Sequence, residues 1–231
     1  TENVYGGTYR LLDQVMNRFN IDQSWVDTTS ISNIESSINK NTKLIFIETP
    51  TNPMMQLSDI AEISKIAHKH NIIVAVDNTF MSPYFQRPLD LGADIVVHST
   101  TKYLNGHSDV IGGVLVTSNQ DIADKLHFLQ MSVGAVPGPF DCWLTQRSIK
   151  TLHIRMERHD SNGRAVASFL SKSNKIKSIY YPGLERHPSY NLAKIQQKDP
   201  NGNPAFGAMI SIDLETMKRA SRFVENLNIF T

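Results

Sequence analysis

Four stretches of consecutive apolar residues punctuate the first half of the chain: Lys43-Leu-Ile-Phe-Ile-Glu48, Ile72-Ile-Val-Ala-Val76, Ile95-Val-Val-His98 and Gly112-Gly-Val-Leu-Val-Thr117. Apolar runs without alternation predict strands buried on both faces, as in a parallel sheet. Between the first two, Ile60, Ile63 and Ala67 recur at helical spacing behind Ser58 or Asp59, with Glu62 three residues after Asp59. That is the pattern of a capped helix with one buried stripe. The alternation from 43 to 117 predicts an α/β fold, a mostly parallel sheet with helices on both faces.

Outside this stretch the pattern is thinner. Leu11, Leu12, Val15, Met16 and Phe19 predict one face of a helix after the turn Tyr5-Gly-Gly-Thr8. Ser24–Asp27 reads as a short strand, and 32–39 as a short helix with Ile34 and Ile38 on one face. A helix over 122–131 is broken by Gly134-Ala-Val-Pro-Gly-Pro139. A longer helical stretch then runs from about Cys142 towards Leu170 and holds the hinge between two domains. Tyr181-Pro-Gly183, His187-Pro188 and Asp199-Pro-Asn-Gly-Asn-Pro204 are loops rich in turn formers. A strand over 207–213 and a helix over 216–227 begin a second domain. The expected division is a large domain over 1–154, lacking its N-terminal part, and an interdomain helix with the start of a truncated smaller α+β domain over 155–231.

Composition narrows the function. With 40% hydrophobic and 19% charged residues over 231 positions, the chain has the makings of a sizeable core and is not of the disordered class. A net charge of +1 offers no field to steer nucleic acid or an anionic membrane, which leaves small molecules as partners. No apolar run reaches the length of a membrane span. Cys142 is the only cysteine, so no internal disulfide forms; a reducing, cytoplasmic setting and a buried structural thiol are expected.

The candidate chemistry gathers where the apolar runs stop. Ile95–His98 leads into Ser99, Thr100, Thr101 and then Lys102, hydroxyls suited to a phosphate beside an amine suited to a Schiff base. Asp77 ends another apolar run, where an unpartnered carboxylate needs a cation or a proton. Gly6 and Gly7 form a turn whose backbone N–H groups suit a phosphate. Glu48 and Asn52 sit on Glu48-Thr-Pro-Thr-Asn-Pro53, a turn stiffened by two prolines. An aldehyde cofactor with a pyridine ring needs a lysine, an acid for the ring nitrogen, phosphate donors and a flat partner for the ring, here Tyr5. His68 and His70 lack companion ligands and no metal site is expected. His98 and His107 read as structural supports for the lysine segment.

Asp94-Ile-Val-Val-His-Ser-Thr-Thr-Lys-Tyr-Leu-Asn-Gly-His-Ser108, with Tyr5-Gly-Gly-Thr8, Glu48-Thr-Pro-Thr-Asn-Pro53, Val76-Asp-Asn-Thr-Phe-Met-Ser-Pro83 and Ser132-Val-Gly-Ala-Val-Pro137, resembles the motifs of the pyridoxal-phosphate-dependent cysteine and methionine metabolism enzymes. The resemblance implies the aspartate-aminotransferase-type fold (fold type I) and the cofactor pyridoxal 5'-phosphate. It implies catalytic roles for Lys102, Tyr5 and Asp77, and cofactor contacts from those three with Gly6, Gly7, Asn52, Ser99 and Thr101. Glu48 and Arg10 become supporting groups near cofactor and substrate. It further implies an amino-acid thioether substrate, with γ-elimination on cystathionine giving cysteine, 2-oxobutanoate and ammonia; γ-replacement and β-elimination are the family alternatives, and a fragment that holds cofactor without turnover is the non-enzymatic one. A homotetramer of dimers with shared sites is expected, the family's N-terminal arm and most of its C-terminal domain lying outside these residues.

Overall fold

Three parallel strands and one antiparallel strand follow one another across a single sheet in chain order: β1 (Leu44–Glu48), β2 (Ile73–Asp77), β3 (Ile95–Ser99) and β4 (Gly113–Val116). The protein is described by a computed structural model over residues 1–229. β1 and β2 pair in parallel with Glu48 opposite Asp77, and β2 pairs in parallel with β3 with Asp77 opposite Val97. Two parallel neighbours in register bring their C-terminal ends to the same sheet edge, where α/β proteins place ligands. β4 turns back antiparallel, with Gly113 opposite Ser99.

The helices in chain order are α1 (Gly6–Arg10), α2 (Ile31–Ser37), α3 (Ile60–Lys69), α4 (Ser82–Phe85), α5 (Gln120–Val133), α6 (Pro139–Ile149), α7 (Leu152–Leu170), α8 (Tyr190–Gln196) and α9 (Met217–Glu225). Asp59 caps α3 as expected, its carboxylate accepting from the Glu62 N–H at 3.0 Å. Ile60, Ile63 and Ala67 of α3 then pack on Ile47, Val74 and Val76 of the sheet. Burying three such side chains contributes several kcal/mol, at about 1.5–3 kcal/mol for each large one. A second core joins Leu57 to Ala167, Ile179, Tyr181, Ala193 and Phe206, so residues before α3 and after α7 share one apolar cluster.

Burial differs from expectation at the outer strands. Leu44 of β1 is 48% exposed, and all four residues of β4 are exposed, because each strand has only one neighbour among the described residues. α5 buries none of its residues, so it does not cover the sheet face beside β4. The apolar face expected over 11–19 forms helical turns continuous with α1, yet Leu11, Val15 and Phe19 are exposed.

Other boundaries shift for local reasons. Residues 24–27 form no strand and pair with none among the described residues; Val26 O accepts from the Glu2 N–H at 2.8 Å. The long helical stretch divides at Lys150–Thr151 into α6 and α7, so residue 154 lies in the first turn of α7. β5 (Ser178–Tyr180) and β6 (Ser211–Asp213) form a second, antiparallel pair; neither β5 nor α8 announces itself in sequence, β5 being three residues long and α8 seven. Cys142 is partly exposed rather than buried.

Candidate active site

The site is built from the ends of β1, β2 and β3. Asp77 closes β2 with its carboxylate half-buried, and Oδ1 accepts from the Thr79 N–H at 3.0 Å and the Thr79 hydroxyl at 2.6 Å. Burial pushes this carboxyl above its ordinary range, and the two Thr79 bonds only partly oppose that. Asp77 makes no ion pair among the described residues; Thr79 is the partner the structure gives it. Thr79 also accepts from the Ser99 N–H at 2.9 Å, which ties the acid to the end of β3. Thr79 is the functional neighbour that the sequence pattern missed; an acid followed two residues later by a threonine at a strand end is the signal that marks it.

Lys102 follows on a wide turn over Thr100–Leu104, its backbone leaving the helical region at φ −93°, ψ −125°. Its side chain is exposed. The turn is tied down on both sides: the Thr100 N–H donates to Gly112 O at 2.9 Å, and the Gly106 N–H donates to Lys102 O at 2.7 Å. Arg155, reaching from α7, donates to Tyr103 O at 2.7 Å, to Ser148 O at 3.1 Å and to Leu104 O at 3.4 Å. His107 contacts Asn105 O at 2.6 Å and the Ser148 hydroxyl at 3.2 Å, the supporting part expected of it. His98 is 4% exposed with no partner for Nδ1, and burial holds its imidazole down to about 4, so it is a neutral core group.

The hydroxyls divide. Ser99 sits half-buried at the sheet edge, whereas Thr101 Oγ1 accepts from the Gly112 N–H at 3.0 Å and donates to Gly112 O at 3.3 Å. Tyr5 caps α1, and its ring lies over Gly7 so closely that a Cβ there would overlap it. Gly7 is therefore the residue that admits the ring. Arg10 is exposed and passes beside Gly6, without an ion pair among the described residues.

Glu48 draws these parts together. It is 6% exposed at the end of β1; Oε2 accepts from the Tyr5 N–H at 2.8 Å and Oε1 from the Asn52 N–H at 2.9 Å. Burial pushes its carboxyl up to about 7, against the lowering effect of those two bonds and with a further push from Asp77. Asn52 itself is exposed on the proline turn.

A buried amide chain fixes the strand ends from beneath. Gln86 Nε2 donates to Thr49 O and to Asn78 Oδ1, each at 2.9 Å, and Gln196 of α8 donates to Gln86 Oε1 at 3.1 Å. Thr49 and Asn78 directly follow Glu48 and Asp77, so both acids are anchored through their neighbours. Arrays of satisfied buried amides of this kind specify one arrangement. The structure thus brings Tyr5, Gly6, Gly7, Glu48, Asn52, Asp77 and Ser99 to one linked set of contacts, with Thr101 and Lys102 on the next turn.

The family model for Cys/Met metabolism PLP-dependent enzymes matches residues 1–231. The chain belongs to this family. Cystathionine gamma-lyase of Bacillus subtilis (strain 168) is 49% identical over 231 residues, covering 100% of this chain and 59% of that protein. Cystathionine beta-lyase of Lactococcus lactis subsp. cremoris (strain MG1363) is 47% identical over 230 residues, again 100% and 59%. The crystal structure of cystathionine gamma-lyase from Lactobacillus plantarum complexed with L-serine superposes with a TM-score of 0.95 at 43% identity, over 100% of this chain and 59% of that one. The fold is therefore that of the pyridoxal-phosphate-dependent lyases, fold type I, and the chain spans somewhat under two thirds of the length of these relatives. Among the described residues no helix is long and apolar enough to cross a membrane, and no group of three metal-ligating side chains comes together.

Proposed function

We propose that this chain carries the cofactor half of a cystathionine γ-lyase, which cleaves the γ-carbon–sulfur bond of cystathionine to give cysteine, 2-oxobutanoate and ammonia. The observation that carries the reading is the Asp77–Thr79–Ser99 relay, at 2.6 and 2.9 Å, which joins a raised, unpaired acid to the strand that leads into Lys102. The donor set suits pyridoxal phosphate: an exposed amine, a half-buried carboxylate with no cation beside it among the described residues, edge hydroxyls, and a glycine pair under an aromatic ring.

When bound, the cofactor supplies an electron sink for the pair left behind by proton removal. Asp77 holds a proton at the ring nitrogen, the role that an acid with no competing cation can fill. Lys102 would hold the cofactor through its amine and would serve as the base for the α-proton. Tyr5 covers the ring and assists proton movement as the γ-thiolate leaves. Ser99, Thr101 and the backbone of Gly6 and Gly7 would hold the phosphate. Asn52 would serve the cofactor's phenolic oxygen and the substrate carboxylate, and Arg10 would support that side.

The likeness to a β-lyase favours one rival reading, β-elimination to pyruvate. Steady-state assay of the full-length protein with cystathionine separates them: 2-oxobutanoate as the keto acid supports γ-elimination, and pyruvate overturns it. The domain division at 154/155, a homotetramer with shared sites and a cytoplasmic setting complete the proposal. The exposed apolar residues of β4 and α5 support subunit burial, and the lone cysteine supports a reducing compartment.

A further inference from the structure

Glu48 is a buried acid that the reaction just described does not use. Both of its oxygens are committed to backbone N–H groups, one each from Tyr5 and Asn52, which leaves neither oxygen facing a substrate. Among the described residues these two donors have no backbone acceptor of their own. Tyr5 precedes the first turn of α1, where N–H groups lack intrahelical partners. Asn52 stands between Pro50 and Pro53, which have no N–H to offer, and the other N–H between those prolines, from Thr51, goes to Gln56 O at 2.9 Å. One carboxylate therefore joins two segments, 43 and 4 residues distant in sequence, beside the direct bond from Asn3 Nδ2 to Gln56 Oε1 at 2.6 Å.

We propose that Glu48 is a positioning residue that sets the Tyr5 ring and the Asn52 turn at a fixed separation across the cofactor, so that the aromatic cover and the phenolic-oxygen side close on the ring together. The inference rests on the cofactor reading above. Its chemical requirement is two acceptor oxygens. A carboxylate meets it; a carboxamide does not, since its NH2 would face an N–H donor and one arm of the clamp would open. Glu48 in β1 is itself held by its register opposite Asp77 and by the Gln86 bond to Thr49 O, so the clamp is referred to the same strand ends that carry the ring-nitrogen acid.

The test is a double-mutant cycle on the full-length protein, reading pyridoxal-phosphate affinity by equilibrium dialysis and the visible circular dichroism of the bound cofactor. Glu48→Gln should weaken affinity roughly tenfold or more and diminish the dichroic band, while the cofactor-free variant still unfolds in one cooperative transition. In a Tyr5→Ala background the same replacement should have little further effect, because the ring it positions is gone. Equal losses in both backgrounds, or an unchanged dichroic band, would overturn the proposal. Wild-type protein that binds no pyridoxal phosphate would overturn the cofactor reading first and this inference with it. Should Glu48→Gln not fold, amide hydrogen exchange in the cofactor-free wild type decides: protection of the Tyr5 and Asn52 amides supports the clamp, and exchange at unstructured rates sinks it.

Discussion

Arg155 Nη1 donates to the carbonyl oxygen of Tyr103, the residue after Lys102, at 2.7 Å and across 52 residues of sequence. A guanidinium that also binds Ser148 O and Leu104 O holds the lysine turn against α7. Bonds from a charged donor are worth about 1.5–3 kcal/mol each at most, and a partly exposed Arg sits at the lower end. Arg155→Ala should cost about 2 kcal/mol in urea unfolding and lower turnover, since the turn carrying Lys102 loses its brace. Arg155→Lys should recover little, because a point charge cannot reach three carbonyls.

Replacing Lys102 by Ala should remove the visible band of covalently held cofactor together with turnover. Asp77→Asn should leave cofactor bound but reduce turnover by roughly 100-fold or more, as an amide cannot keep a proton at the ring nitrogen. Absorbance spectra and 2-oxobutanoate release measure both; a Lys102→Ala protein that kept colour and rate would end the assignment.

Gly163 in α7 faces the segment before β6. A Cβ there would meet Gly207 O at 2.5 Å, Ala208 Cα at 3.0 Å and the Tyr181 hydroxyl oxygen at 3.2 Å. The first two are backbone atoms and cannot swing aside. Gly163→Ala should therefore destabilise by about 1–3 kcal/mol despite the better helix propensity of alanine, read as a lower urea midpoint.

His98 should impose acid sensitivity on the fold. Its imidazole is held down to about 4 by burial, whereas the unfolded chain binds that proton near the ordinary histidine value. Between these values the unfolded state binds more protons, so the contribution is fully present above about pH 6.5 and is lost as pH falls towards 4. Comparing wild type with His98→Asn cancels the other groups: the difference in stability should move by roughly 2 kcal/mol against the wild type from about pH 7.5 to about pH 5. Glu48 acts with opposite sign, its raised carboxyl costing stability as pH climbs through about 7, which is why the difference, not the wild-type curve alone, is the measurement.

Sequence alone determined the parts whose cause is local. Apolar runs longer than chance place β1, β2 and β3, the Asp59 cap and the 3–4 spacing place α3, and the residues that terminate those runs, Glu48, Asp77 and Ser99 to Lys102, are legible because chemistry at a strand end follows from the sheet itself. The motifs around them were specific enough to carry the family. Tertiary structure decided what depends on groups distant in the chain: Glu48 reaching Tyr5, Thr79 bridging Asp77 to Ser99, Arg155 bracing Tyr103, and Gln196 meeting Gln86 across 110 residues. It also decided burial, leaving β4 exposed although its pattern reads as a buried strand, and α5 without a buried residue. A periodic pattern reports that a face is apolar; only the neighbours that fold against it determine whether water is excluded.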